Sequence, residues 1–176
     1  MTHKVVRYIN NPNLEKPAAL VGEEEFGTPE LEQLVEDMFE TMYASRGLGL
    51  AAPQIDIHKR LTVIDTSGGE EGVEPNKVVL INPEIIFKEG KQTGEEGCLS
   101  IPGFREEVRR AKRVKVRARN TKGEVIEADG EDLMARAMQH EIDHLNGILF
   151  LLHLSPLKRE VIRRKIKKLI QAGEWD

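Results

Sequence analysis

The stretch Gln139-His140-Glu141-Ile142-Asp143-His144 decides how this chain is read. Its His-Glu-x-x-His pattern sets two histidines four residues apart. On a helix they project ~40° apart around the axis and ~6 Å apart along it. One metal ion can then meet both imidazoles, with Glu141 beside them to handle a proton. Leu133, Met134, Ala137, Met138, Ile142 and Leu145 spread apolar groups over much of a helix expected from about Glu131 to Asn146, with Gly147 as its stop. Such a helix belongs inside the molecule. Its histidines and acids then need partners, because unpaired buried polar groups are costly. A metal is one such partner.

Upstream lie runs suited to strands. Arg60–Asp65 and Lys77–Asn82 are rich in β-branched residues, with the loop Ser67–Gly72 between them. Val114, Val116 and Ala118 alternate with Lys115, Arg117 and Arg119, the period of a half-buried strand. Asn120–Gly123 reads as a hairpin turn into Glu124–Ala128, and Asp129-Gly130 as the end of that strand. Thr28-Pro29 supplies a cap and a first-turn proline for an amphipathic helix reaching about Arg46. The segment before Gly27 reads as an irregular, exposed arm. Ser155-Pro156 opens a third helix over residues 155–170. Its stripe is Val161, Ile162, Ile166, Leu169 and Ile170, with lysine and arginine covering the rest. The pattern predicts one α+β domain over residues 1–176. Antiparallel or mixed strands pack around the central metal-binding helix, with an amphipathic helix before and a basic helix after.

Composition narrows the function. A hydrophobic share of 39% and 32% charged residues fit an ordinary globular protein with a real core. A net charge of −4 argues against a molecule built as a whole to bind polyanions. No apolar run approaches a membrane span, and Met1–Tyr8 lacks the apolar centre of a secretion signal. The expectation is a cytoplasmic monomer with no membrane partner. Cys98 is the only cysteine, which excludes an intramolecular disulfide and suits a reducing compartment.

Two histidines leave a catalytic metal one protein ligand short. One large protease class takes a third histidine six residues after the second, but Phe150 stands there. Glu160 is a candidate in the manner of other metalloendopeptidases. Cys98, in Glu95-Glu96-Gly97-Cys98-Leu99-Ser100-Ile101-Pro102, is the better one, since a thiolate binds zinc or ferrous iron strongly. Gly97 permits backbone geometry that other residues resist. Leu99 can turn its backbone N–H toward the reactant. Gly47-Leu48-Gly49-Leu50-Ala51-Ala52-Pro53-Gln54 adds small residues for close approach of a peptide, and a neutral amide donor in Gln54. Glu96 reads as either a surface acid or a partner that orients a ligating histidine. Most cations between Arg105 and Lys122 read as the solvated face of strands.

Together Gly47–Gln54, Glu96–Ser100 and Gln139–His144 resemble the three motifs of the peptide deformylase family, in the family's order. Glu127–Gly130 and Leu154–Lys158 extend the likeness. The resemblance implies that Cys98, His140 and His144 hold one divalent metal, with water as fourth ligand. Ferrous iron comes first, and zinc, nickel or cobalt substitute. Glu141 then takes a proton from water and later gives one to the leaving amine, while Gln54 and the Leu99 N–H meet the oxyanion. The substrate implied is an N-formyl-methionyl nascent peptide, lying extended near Gly49 and Gly97. Leu48, Leu133 and the aliphatic part of Arg136 line the methionine pocket, and Arg105 stands near its mouth. Formate is released. A basic C-terminal helix on such an enzyme suits docking on ribosomal RNA. The rival readings are a zinc metalloendopeptidase and a non-catalytic ribosome- or RNA-binding module with a structural metal. The spare glutamate beside the ligands argues against the last, because structural zinc sites close with four protein ligands.

Overall fold

In the computed structural model, which describes residues 1–176, three helices pack with two antiparallel sheets. Helix α1 spans Pro29–Ala44. The Thr28 side chain accepts the Leu31 N–H at its start, with proline in the first turn. Helix α2 spans Asp132–Leu145 and carries the His-Glu-x-x-His motif, and Gly147 lies just beyond it with φ +76°. Helix α3 spans Pro156–Gln171, with Ser155 capping the Lys158 N–H.

The larger sheet has five strands in the order β1 (Gly49–Ala51), β2 (Leu61–Asp65), β3 (Lys77–Glu89), β6 (Arg113–Arg119) and β7 (Val125–Glu131). A separate two-stranded ribbon pairs β4 (Gln92–Cys98) with β5 (Ile101–Arg110). Both sheets are antiparallel throughout, and the only parallel pairing is an isolated bridge between Ala19 and Lys59. The fold is thus the expected α+β arrangement.

Several boundaries differ from the sequence reading, each for a physical reason. The β3 strand does not stop at Asn82. Pro83 cannot donate to the ladder, but a break in register between Ile81 and Glu84 absorbs it, and pairing with β6 resumes. Asp129-Gly130 does not end β7, because its ladder with β6 runs on to the pair Arg113–Glu131. The first segment is irregular but not exposed throughout. Val5, Tyr8, Leu14, Ala18 and Val21 are buried, and the Asn82 side chain brackets Val21, accepting its N–H (2.9 Å) and donating to its carbonyl (3.1 Å). The β4–β5 ribbon lacks a clean apolar alternation and escaped the sequence reading.

Three apolar clusters hold these pieces. One joins α1 to β1, β2 and β3 through Met38, Met42, Leu50, Leu61 and Val63. A second seats Ala135, Met138 and Ile142 of α2 on Ile64, Leu80, Val114 and Val116 of the large sheet. The third clamps α3 to the amino-terminal arm and the ribbon through Ile162, Ile166, Trp175, Tyr8 and Ile101. Helix α2 therefore lies between the sheet and the ribbon. At about 100° per residue, His140 and His144 fall on the side of α2 away from Ala135, Met138 and Ile142.

Candidate metal centre and cleft

The β4–β5 ribbon reverses at Leu99-Ser100, with Cys98 facing Ile101 across the turn. This presents the Cys98 thiol to α2. Its Sγ lies 3.4 Å from His144 Nε2, which lies 3.2 Å from His140 Nε2, and the three donor atoms fall within 4.8 Å of one another. A tetrahedral ion held at ~2.0–2.3 Å from each donor would space them ~3.3–3.5 Å apart, close to what is seen. One thiolate and two imidazoles form an open three-donor set. Beside it the buried Glu141 Oε2 has no hydrogen-bond partner, and Glu141 Oε1 lies 3.8 Å from His140 Nε2. The residues thus fit a catalytic metal with a neighbouring proton acceptor. Glu160 does not join them, because it bonds Arg164 on the exposed side of α3 (3.3 Å).

His140 is oriented from behind. Its Nδ1 bonds Glu96 Oε1 at 2.8 Å, which leaves Nε2 for the metal. Glu96 is buried and holds a charged cluster together. Arg110 makes a two-pronged pair with it (2.8 and 2.8 Å), and Arg136 Nη1 adds a third bond at 2.6 Å. Arg110 also reaches Asp143 (2.7 Å), which bonds His153 Nε2 (2.8 Å). Of the two sequence readings of Glu96, the geometry fits the orienting partner.

Arg110 is the exception among cations read as solvated. It shares the inward face of β5 with buried Val108, two residues earlier, and that period-two placement was the available signal. His153 and Asp143 had no such signal.

The electrostatics follow from burial. Desolvation pushes the Glu141 carboxyl up to about 7, although the His140 charge pulls it down. Burial opposes charge on His140, but hydrogen bonds with Cys98 and Glu96 overcome it and raise the imidazole to about 10 in the metal-free chain. His144 goes the other way, lowered by burial and by the neighbouring His140. Burial would raise Glu96, yet its bonds to Arg110 and His140 hold it far below the usual carboxylate range.

These groups floor a cleft of about 440 Å³. All six residues expected to bind substrate line it: Leu48, Gly49, Gly97, Arg105, Leu133 and Arg136. Cys98, Leu99, Gln54, His140 and Glu141 line it too. His144 is the donor set back from it. Gln54 is pinned at the cleft wall: its Oε1 accepts the Ala51 N–H (3.0 Å), and its Nε2 lies 3.2 Å from Ser100 Oγ and 3.5 Å from Cys98 Sγ. Gly97 does not use the backbone freedom expected of it, and a side chain there would meet chiefly the movable end of Arg105. Its φ is not positive, and a Cβ there would lie 3.2 Å from Arg105 Nη1 and 3.4 Å from the Phe104 carbonyl oxygen. The sequence reading missed Arg46 and Phe104, which also line the cleft.

Residues 3–160 match the family model for polypeptide deformylase. Over 175 residues the chain is 55% identical to the peptide deformylase of Acidobacterium capsulatum, covering 99% of each. This chain belongs to the polypeptide deformylase family. The fold agrees with a crystal structure of a peptide deformylase from Legionella pneumophila at TM-score 0.87 and 42% identity, over 100% of this chain and 99% of that one. A class I type b peptide deformylase from Acinetobacter baumannii, crystallised with Met-Ala-Ser bound, gives TM-score 0.81 at 37% identity, over 88% of this chain and 99% of that one. As a deformylase, the chain is a metal-dependent hydrolase that removes the N-formyl group from new polypeptides.

Proposed function

We propose that Cys98, His140 and His144 hold the deformylase metal, that Glu141 moves the protons, and that Gln54 and the Leu99 backbone N–H receive the formyl oxygen. The supporting observation is the convergence of one sulfur and two ring nitrogens within 4.8 Å, beside an unpartnered buried carboxylate oxygen. When bound, a divalent ion at these donors supplies Lewis-acid chemistry, acidifying water and polarising a carbonyl. Glu141 takes a proton from the attacking water and returns one to the leaving nitrogen, the role its buried, unpartnered oxygen suits. Gln54, held by Ala51 and Ser100, can turn the N–H that faces Cys98 Sγ toward the oxyanion, a donor typically worth ~3 kcal/mol in the transition state. The peptide lies extended along the Gly97 side of the cleft with its methionine against Leu48 and Leu133. The Met-Ala-Ser found in the Acinetobacter relative supports a methionyl peptide as occupant.

Formate release from a formyl-methionyl peptide tests this reading. Glu141→Gln should retain bound metal and lose a factor of ~10²–10⁴ in rate. A variant turning over at the parent rate would remove Glu141 from its role.

Ferrous iron is the proposed native ion. An iron–thiolate centre should lose activity in air through Cys98 oxidation, whereas the zinc form should not. Equal decay of the two forms would count against iron. The enzyme is proposed to act as a cytoplasmic monomer, consistent with the absence of any helix long and apolar enough to cross a membrane. Exposed Lys165, Lys167 and Lys168 on α3 are proposed to dock on ribosomal RNA. Reversing these three charges tests docking better than deleting the helix, because α3 contributes buried Ile162 and Ile166 to the core. Unchanged ribosome cosedimentation would rule the docking out.

A further inference from the structure

The mouth of the cleft carries charge that the hydrolysis does not use. Arg46 and Arg105 both line it, Arg46 from the connection between α1 and β1 and Arg105 from β5. Both side chains are exposed. Arg46 forms no ion pair, and the only pair of Arg105 is with Glu95 at 3.6 Å, with both partners about two-thirds exposed. A pair that long and that wet contributes little. Of the other cleft charges, Arg136 pairs with Glu96 and Glu141 serves the floor, while exposed Glu95 offsets one of the two cations at the mouth.

The root of Arg46 is fixed. Its backbone has φ +59°, uncommon outside glycine, and its N–H bonds the Tyr43 carbonyl at 3.0 Å. The next amide, from Gly47, bonds the Met42 carbonyl at 2.9 Å, and Gly47 lies hard against the Leu99 side chain. The guanidinium is therefore delivered to the mouth from a rigid turn, two residues from Leu48.

We propose that Arg46, with Arg105, makes this cleft select peptides with an acidic side chain at the second residue after the methionine, and disfavour basic ones. An extended peptide advances ~3.3 Å per residue, so that residue leaves the floor for the mouth. The inference rests on the reading above, in which the formyl end sits at the Cys98, His140 and His144 end of the cleft.

The test compares formate release from three C-terminally amidated peptides, formyl-Met-Ala-Glu, formyl-Met-Ala-Ser and formyl-Met-Ala-Lys, on the metal-loaded enzyme. The expected order of kcat/KM is Glu, then Ser, then Lys, with about two- to fivefold per step. The difference should sit in KM rather than kcat and shrink at about 0.5 M salt. Arg46→Glu should reverse the order, and Arg46→Gln should narrow the spread. Arg109→Glu, an exposed cation elsewhere on β5, should leave the order intact. Equal KM for the three peptides, or an order that survives Arg46→Glu, overturns the proposal. Failure of all three peptides to turn over would instead sink the placement of the formyl end on which it rests.

Discussion

Glu141 sits in a space set by a neighbour with no side chain. A Cβ at Gly49 would lie 2.9 Å from Glu141 Cγ and 3.0 Å from its Cδ. The strand β1 is pressed that closely against the carboxylate, which helps exclude the solvent that would otherwise hold its pKa down. Gly49→Ala must push Glu141 away from its place or bend β1. Displacing a reacting group by ~1 Å costs up to 10²-fold, so kcat for formate release should fall by about 10- to 100-fold. Overpacking should cost a further ~1–3 kcal/mol of stability. Metal content should hold, because Cys98, His140 and His144 are untouched. Measuring kcat and metal stoichiometry on the same preparation checks this, and an unchanged kcat would show that the contact is slack.

At the level of elements, one carboxylate is the hub of the ties between the ribbon and α2, which also include Arg110 to Asp143 and Arg136 to the Val108 carbonyl. Glu96 from β4 joins Arg110 from β5 to Arg136 and His140 from α2, all largely buried. Glu96→Ala would leave Arg110 with Asp143 as its one carboxylate and Arg136 with none, and would free the His140 ring. Breaking such a cluster costs ~3–5 kcal/mol. Loss of the orienting bond should weaken metal binding by ~10- to 100-fold. Trp175, the only tryptophan, is buried against Phe104 of β5 and donates to the Tyr8 carbonyl at 2.7 Å, so its fluorescence reports whether the ribbon and its neighbours hold. A denaturant midpoint and metal affinity both equal to the parent's would refute the tie.

Asp65 at the end of β2 is one of the carboxylates, with Glu96 and Asp37, that set the acid response of the whole molecule. Burial would raise Asp65, but hydrogen bonds from Tyr43, from the Ser67 hydroxyl and N–H and from the Asn76 N–H hold it at about 2. These bonds fasten α1 and both ends of the 66–76 loop to the sheet. The folded pKa lies below the unfolded value of ~3.9, so the stabilisation is fully present above that value. It drains away as pH falls toward 2. Urea midpoints should drop between about pH 5 and 2, and Asp65→Asn should lessen that drop while lowering the midpoint at neutral pH. An equally steep acid limb in Asp65→Asn would place the acid sensitivity elsewhere.

Local periodicity and spacing determined the three helices, most of the large sheet and the grouping of His140, Glu141 and His144 on one helix, because those signals depend only on residues near one another in the chain, whereas Cys98 joined them through the likeness of its motif to the family's. The β3 extension, the β4–β5 ribbon and the burial of Arg110 were decided by tertiary structure. A charge is tolerated inside a protein only when its partners arrive, and those of Glu96 come from 14, 40 and 44 residues away. The same holds for the cleft mouth, where Arg46 just after α1 and Arg105 on the ribbon line one cleft only because distant segments pack together. The sequence named the candidate groups, and the packing of distant segments set what surrounds them.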